Sequence, residues 1–325
     1  MFPEAADCWY LTGPTAVGKT AVAMQLAQRL GAEIISLDSM AIYRQMDIGT
    51  AKPAPELRAQ IPHHLLDIVD PDEDYSLSMY VDAALACIAE IRQRGREVLF
   101  VGGTPLYLKS LLRGIFSGPP ADWEFRRQVE EEARQVGIEA LHERLQLVDP
   151  LSAAKLHPND IRRIIRALEV YRATGQPISH LQMQFDEGRR AEQCRVFVLN
   201  RDRAELHRRI DDRVAQMLQG GLVDEVRRLR QRERPMSHTA AQAVGYREVG
   251  EYLDRKFDAV EMERRLRVRT HQFARRQLTW FRGLSECRWV GLTPESDAAE
   301  IAHQIASSPD PNQAANDRAH NGPND

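Results

Sequence analysis

Residues 8–20 read Cys8-Trp9-Tyr10-Leu11-Thr12-Gly13-Pro14-Thr15-Ala16-Val17-Gly18-Lys19-Thr20. A short apolar run, 8–12, ends in a glycine-rich turn, and from Gly18 the pattern becomes helical, with Val22, Leu26 and Leu30 at i, i+4 spacing. Strand, G-x-x-x-x-G-K-[ST] turn and helix together form a phosphate-binding loop. The chemistry follows from the backbone. Glycine lets several N–H groups converge on phosphate oxygens, and the helix N-terminus adds positive potential. In this reading Gly13, Pro14, Thr15, Ala16, Val17, Gly18, Lys19 and Thr20 hold a di- or triphosphate, Lys19 as a point charge and the Thr20 hydroxyl as a ligand for Mg²⁺.

Working outward, Gly31 stops the first helix, residues 33–37 read as a second strand, and 76–94 as a helix with Gly95 beyond it. Residues 97–101 are a third strand, followed by Gly102-Gly103-Thr104-Pro105 and another short helix. Strands alternating with helices through short connections require parallel pairing, so the fold class is α/β, a doubly wound parallel sheet. At Ser117-Gly118-Pro119-Pro120 the composition changes, and from 118 to 190 the chain is charged and helical without a strand pattern. This predicts an inserted all-helical subdomain. The core resumes at residues 191–306, with a strand at 194–199, helices near 203–219, 221–232 and 259–282, and a last strand at 287–291. Residues 307–325, poor in apolar side chains and rich in Pro, Asn, Asp and Gly, read as a disordered tail.

The bulk properties narrow the classes. Of 325 residues 43% are hydrophobic, enough for a real core, and the net charge is -3. Of the 44 cationic side chains five are Lys and the rest Arg. That bias fits either an Arg-favouring genome or guanidinium forks built for phosphate. Arg is dense in 155–172 and in 261–282, where Arg264, Arg265, Arg267, Arg269, Arg275, Arg276 and Arg282 face only Glu261 and Glu263. Four scattered cysteines form no C-x-x-C pair, which speaks for a reducing cytoplasmic location rather than zinc or disulfides. Neither a cationic leader nor an apolar run of ~18 residues is visible, so no membrane is expected.

Binding a phosphate chain does not name a reaction. Phosphoryl-transfer enzymes commonly place a metal-binding acid at the end of a neighbouring strand, but Val98–Val101 runs into Gly102-Gly103-Thr104. The acid lies instead after the second strand, at Asp38. A carboxylate at the carboxyl end of a sheet strand points into the ligand crevice. Beside a diphosphate it serves as a general base or a partner of the metal shell, or else it caps the next turn. Thr104 is equally an N-cap for the helix that follows it. His63-His64 has no partner at ligand spacing, and Ile161, Ile164, Ile165 and Leu168 form an ordinary helix-packing stripe.

The segment Asp38-Ser39-Met40-Ala41-Ile42-Tyr43-Arg44-Gln45-Met46-Asp47-Ile48-Gly49-Thr50-Ala51-Lys52-Pro53, following the phosphate loop and preceding Val101-Gly102-Gly103-Thr104 and Leu106-Tyr107, resembles the tRNA dimethylallyltransferase (tRNA isopentenyltransferase) family of bacterial type. Pro62-His63-His64-Leu65, Asp67-Ile68, Arg166-Ala167-Leu168-Glu169-Val170, Gly175, Val244-Gly245-Tyr246-Arg247 and Arg275-Arg276-Gln277-Leu278-Thr279-Trp280 extend the resemblance over residues 8–291. At position 17 Val stands where the bacterial family often has Ser.

The resemblance implies transfer of a dimethylallyl group from dimethylallyl diphosphate to the N6 amine of the adenosine 3′ of the anticodon, tRNA position 37. It further implies Asp38 as base, Lys19, Thr104 and Arg213 as its catalytic companions, and Mg²⁺ at Thr20. Asp38, Ser39, Met40, Ala41, Thr104, Arg126, Arg162, Arg163, Ile164, Ile165, Arg166, Gln242, Ala243, Val244, Gly245, Tyr246 and Arg247 are implied contacts to the tRNA anticodon stem-loop, with the inserted helices as a clamp. Nothing in the sequence demands a dimer, and a monomer is expected. Three rivals remain at this level: an adenylate isopentenyltransferase using free AMP or ATP, a small-molecule kinase, and a non-catalytic tRNA-binding module. The inserted helices and the Arg-rich C-terminal helix argue against the first, since a free nucleotide needs neither.

Overall fold

The structure is a computed structural model that describes residues 2–116, 118–182 and 188–309. Six strands, β1 (Trp9–Thr12), β2 (Ala32–Leu37), β3 (His63–His64), β4 (Glu97–Gly102), β5 (Val196–Arg201) and β6 (Cys287–Leu292), form one parallel sheet in the order β3-β2-β4-β1-β5-β6. The chain is therefore α/β, with a helical insertion between β4 and β5. β1 and β2 are buried at every position, as parallel strands covered on both faces must be. The core on one face joins Leu11, Leu99 and Leu199 of the sheet to Val22, Leu26 and Ala27 of the helix Lys19–Leu30.

This strand order decides where the chemistry sits. β2, β4, β1 and β5 are consecutive neighbours, so the turns that leave their carboxyl ends lie side by side. Those turns carry Asp38, Gly103-Thr104, Gly13–Gly18 and Asp202. Gly102 permits the close pairing of β4 with β2, because a Cβ there would stand 2.1 Å from the Leu37 carbonyl oxygen.

The expected elements of the core are present, with ends shifted by one or two residues. Local chemistry sets those ends: Ser76 accepts the Met79 N–H at 3.2 Å to start the helix Leu77–Gln93, and Gly31 closes Lys19–Leu30 at φ 61°. Among the elements that the sequence reading leaves unassigned are β3 and the helices Pro55–Gln60, Tyr246–Leu253 and Ala298–Ala306. β3 is a two-residue edge strand, too short to display a period. The helix Ala298–Ala306 packs Ala302 and Ile305 into the same core as Lys19–Leu30. The expected disordered tail lies, from residue 310 onward, outside the described residues.

The described residues within Arg113–Glu187 form a separate compact unit. Helices Trp123–Val136, Ile138–Val148, Pro150–Lys155, Ile161–Thr174 and Ile178–Leu181 bury Phe125, Val129, Leu141, Leu145, Ile164, Ile165 and Leu168 around one core. Among the described residues no helix is long and apolar enough to cross a membrane, and the four cysteines are free thiols.

Candidate active site

The loop after β1 is held from behind by side chains. Gly13 takes φ 141° and Gly18 φ 110°, conformations that glycine allows, while Ala16 sits at φ 64°. Arg209 Nε donates to the Ala16 carbonyl at 2.9 Å, and Arg201 Nε donates to the Val17 carbonyl at 2.9 Å. Lys19 Nζ donates to the carbonyls of Gly13 at 2.9 Å and Pro14 at 2.8 Å, so the ammonium is folded across the loop. Burial, with the Arg213 charge beside it, pushes the Lys19 ammonium down to about 7, and Asp38 acts in the opposite sense. Arg213, half-buried on the helix Arg203–Gln219, is also lowered by burial, again against the pull of Asp38. Asp38 is thus near enough to act on both Lys19 and Arg213, and Arg213 near enough to act on Lys19.

Asp38 leaves β2 with Oδ1 accepting the N–H groups of Met40 at 2.8 Å and Ala41 at 3.3 Å. The capping role left open by the sequence is therefore filled by one carboxylate oxygen, which fixes the side chain's direction. Thr104 closes the other side. Its N–H donates to the Leu37 carbonyl and its Oγ1 accepts the Ser39 N–H, both at 3.1 Å, so the residues flanking Asp38 are pinned to the turn after β4.

One loop residue, Thr15, has its backbone N–H engaged within the protein. The Thr15 N–H, expected to face phosphate, donates to Oε1 of Gln277 at 2.9 Å. Val17 is wholly buried in the core cluster, which is how a valine is accommodated in this loop. Thr20 is exposed at the start of the helix. Among the described residues no group of three or more His, Cys, Asp or Glu side chains could hold a metal. Mg²⁺ suits a lone hydroxyl, because it keeps waters and takes most of its remaining ligands from substrate phosphates.

The segment after Asp38 is fastened by residues to which the sequence reading assigns no role. Glu225, 3% exposed, accepts the N–H groups of Asp47 at 3.0 Å, Ile48 at 2.9 Å and Gly49 at 3.2 Å, together with the Tyr246 hydroxyl at 2.5 Å. A Cβ on Gly49 would meet the Tyr246 ring at 2.4 Å. Lys52 ties the far end, donating to the Tyr43 carbonyl at 2.5 Å and pairing with Asp47 at 2.8 Å and Asp67 at 2.5 Å. Glu225→Ala is expected to cost about 3 kcal/mol, since it strands the buried Tyr246 hydroxyl and three partly buried N–H donors at once. The check is a fall in the urea midpoint with an unchanged slope.

The residues expected to touch nucleic acid fall into groups. Gln242 is exposed and Arg247 half-exposed, whereas Ala243, Gly245 and Tyr246 are buried and Val244 half-buried. In the helical unit Arg162 and Arg163 are exposed. Ile164 and Ile165 correct the expectation: at 0% and 2% exposure they are core side chains with no surface to offer a partner. Arg126 and Arg166 both bind Glu169, itself 3% exposed, Arg126 in bidentate fashion at 2.9 and 2.8 Å, and Arg166 also donates to the Pro119 carbonyl at 3.0 Å. Their visible work is to hold that unit together. His63 faces the Ile61 carbonyl at 2.7 Å and His64 faces Glu33 at 2.7 Å.

The model of the IPP transferase family matches residues 41–284, and that of the isopentenyl transferases matches residues 6–70. The chain belongs to the IPP transferase family. It is 49% identical over 314 residues to a tRNA dimethylallyltransferase of Rhodopirellula baltica, covering 94% of each chain. The crystal structure of a tRNA isopentenylpyrophosphate transferase from Bacillus halodurans matches with TM-score 0.68 and 37% identity, over 97% of this chain and 100% of that one. A eukaryotic dimethylallyltransferase acting on tRNA matches with TM-score 0.69 and 27% identity, over 97% of this chain and 80% of that one. In this IPP transferase the paired turns after β1, β2 and β4 are therefore the place to look for the transfer chemistry.

Proposed function

We propose that this chain is a tRNA dimethylallyltransferase, moving the dimethylallyl group of dimethylallyl diphosphate to N6 of adenosine 37 and releasing pyrophosphate. The observation that carries the reading is a phosphate loop with Lys19 folded across it, beside a strand end where Met40 and Ala41 fix Asp38, with Arg213 near enough to feel the Asp38 charge. The two cations favour charge growing on a departing diphosphate as the allylic C–O bond breaks. The adenine amine attacks the allylic carbon with its nitrogen lone pair, and its surplus proton passes to the free oxygen of Asp38. The other Asp38 oxygen, held by Met40 and Ala41, fixes the orientation in which the amine is met. Thr20 is the residue to hold Mg²⁺, which when bound supplies further neutralisation of diphosphate charge. The adenosine leaves its stack to reach this depth.

No carboxylate stands at the end of β4, which runs into Gly103-Thr104. That favours prenyl transfer over a kinase. We place the protein in the cytoplasm as a monomer. The reading is tested by incubating it with labelled dimethylallyl diphosphate and either tRNA or AMP, then with γ-labelled ATP, and analysing the tRNA nucleosides by mass spectrometry. Label in N6-isopentenyladenosine from tRNA alone supports it. Label in AMP, or phosphoryl transfer, defeats it.

Arg162 and Arg163 are exposed and suited to backbone phosphates. Binding of tRNA should weaken steeply with salt while donor binding changes less. Replacing both by Ala should lower the slope of log K against log salt by about 1 to 2, or roughly 0.7–0.9 for each phosphate that is no longer neutralised. Filter binding between about 50 and 200 mM salt reads this directly.

A further inference from the structure

Gln277 lies on the helix Ala259–Arg282 and is 4% exposed. Its side-chain amide uses both ends: Oε1 accepts the Thr15 N–H at 2.9 Å and Nε2 donates to the Gly103 carbonyl at 2.5 Å. The first partner belongs to the donor loop and the second to the turn after β4. Gly103 has no side chain because none fits, a Cβ there standing 2.4 Å from Gln277 Nε2 and 3.2 Å from the Gly13 carbonyl oxygen. The next residue, Thr104, holds Leu37 and Ser39, the two neighbours of Asp38. Hydrogen bonds thus run without a gap from the donor loop through Gln277 to the backbone on either side of the base.

We propose that Gln277 is a positioning residue that sets the separation between the donor loop and Asp38, and with it the distance across which the prenyl carbon meets the adenine nitrogen. The proposal rests on the prenyltransferase reading. A primary amide is the natural group for the task, since it accepts at one end and donates at the other with no charge beside Lys19. A carboxylate turns two oxygens toward one another at Gly103, and a thioether leaves the Thr15 N–H and the Gly103 carbonyl unpaired. Gln277 touches neither substrate in this scheme. Its loss should appear in the transfer step rather than in binding, because misplacement by about 1 Å costs on the order of 100-fold in rate.

The test compares Gln277→Glu and Gln277→Met with the wild type, using full-length protein, dimethylallyl diphosphate and substrate tRNA. Single-turnover rates are measured at saturation, with the dissociation constants of donor and tRNA measured separately and the folded fraction taken from thermal melts. The expected result is a rate lowered on the order of 100-fold in both variants, with both dissociation constants within about threefold of wild type. In Gln277→Glu the rate relative to wild type should climb as pH falls from about 8 to about 6, because the protonated carboxyl regains a donor for the Gly103 carbonyl. A purely structural role would lower the folded fraction and leave both the saturated rate per folded molecule and the pH ratio unmoved. Wild-type rates in folded variants, or a flat ratio, overturn the proposal. A wild-type protein that does not prenylate tRNA overturns the underlying reading and the proposal with it, and that control separates the two failures.

Discussion

Asp38→Ala is expected to lower turnover by about two to four orders of magnitude, the usual scale for loss of a general base, while donor binding survives. The adenine amine is a weak nucleophile because its lone pair is delocalised into the ring, so it gains from a carboxylate that takes its proton as the new bond forms. The same carboxylate organises the start of the following loop through Met40 and Ala41, and Asp38→Ala therefore confounds chemistry with geometry. Asp38→Asn separates them. An asparagine carbonyl still accepts both backbone N–H groups, yet it cannot take a proton. If proton removal dominates, Asn falls as far as Ala. If orientation dominates, Asn retains most of the rate. Single-turnover measurement at saturating tRNA gives the answer, and near-wild-type rates in both variants would remove Asp38 from the base role.

The parts of this site visible in the sequence are those with local signatures. Gly13 to Thr20 announces itself because glycines at fixed offsets, a preceding apolar strand and a following amphipathic helix must coincide within a short stretch of chain. Asp38 announces itself by ending a strand. What stays hidden is the support from distant residues. Gln277 and Glu225 sit far along the chain from Thr15 and Asp47, and no spacing rule relates them. A signal is nonetheless present. The buried stripe of the helix Ala259–Arg282 runs Met262, Leu266, Thr270, Ala274, Gln277, Phe281, and that of Leu222–Arg230 runs Leu222, Glu225, Val226, Leu229. A polar residue at an inward register position must find partners or incur a desolvation penalty, so its place in the stripe marks each of Gln277 and Glu225 as an organising group before its partners are known. Glu169, on the inward stripe of Ile161–Thr174, follows the same rule and gathers Arg126 and Arg166. Both arginines, expected from the family resemblance to contact tRNA, thus also have a buried structural partner inside the helical unit.

Lys19→Ala should lower the saturated transfer rate by about 10²–10³, the range for losing one preorganised electrostatic partner of a developing charge. The burial of Lys19 adds a pH signature to this loss. Burial and Arg213 hold Lys19 at about 7 rather than the usual lysine value, so above neutral pH the donor-free protein carries it largely uncharged. A diphosphate next to it favours the ammonium, and donor binding above about pH 7 must therefore take up a proton. Binding should weaken as pH rises past that value. Titration calorimetry at about pH 8 in two buffers of different ionisation enthalpy would show proton uptake by the wild type that is absent in Lys19→Ala. The sign for folding is opposite. A lysine whose folded pKa is depressed binds fewer protons in the native state than in the unfolded chain, so the donor-free protein gains stability as pH climbs from about 7 towards 10.5, and Lys19→Ala flattens that rise. Equal proton uptake by both proteins would show that the charge on Lys19 does not change when the donor binds. Lys19 would then meet the leaving group in an unchanging charge state, with Arg213, itself lowered by burial against the pull of Asp38, as the second cation beside it.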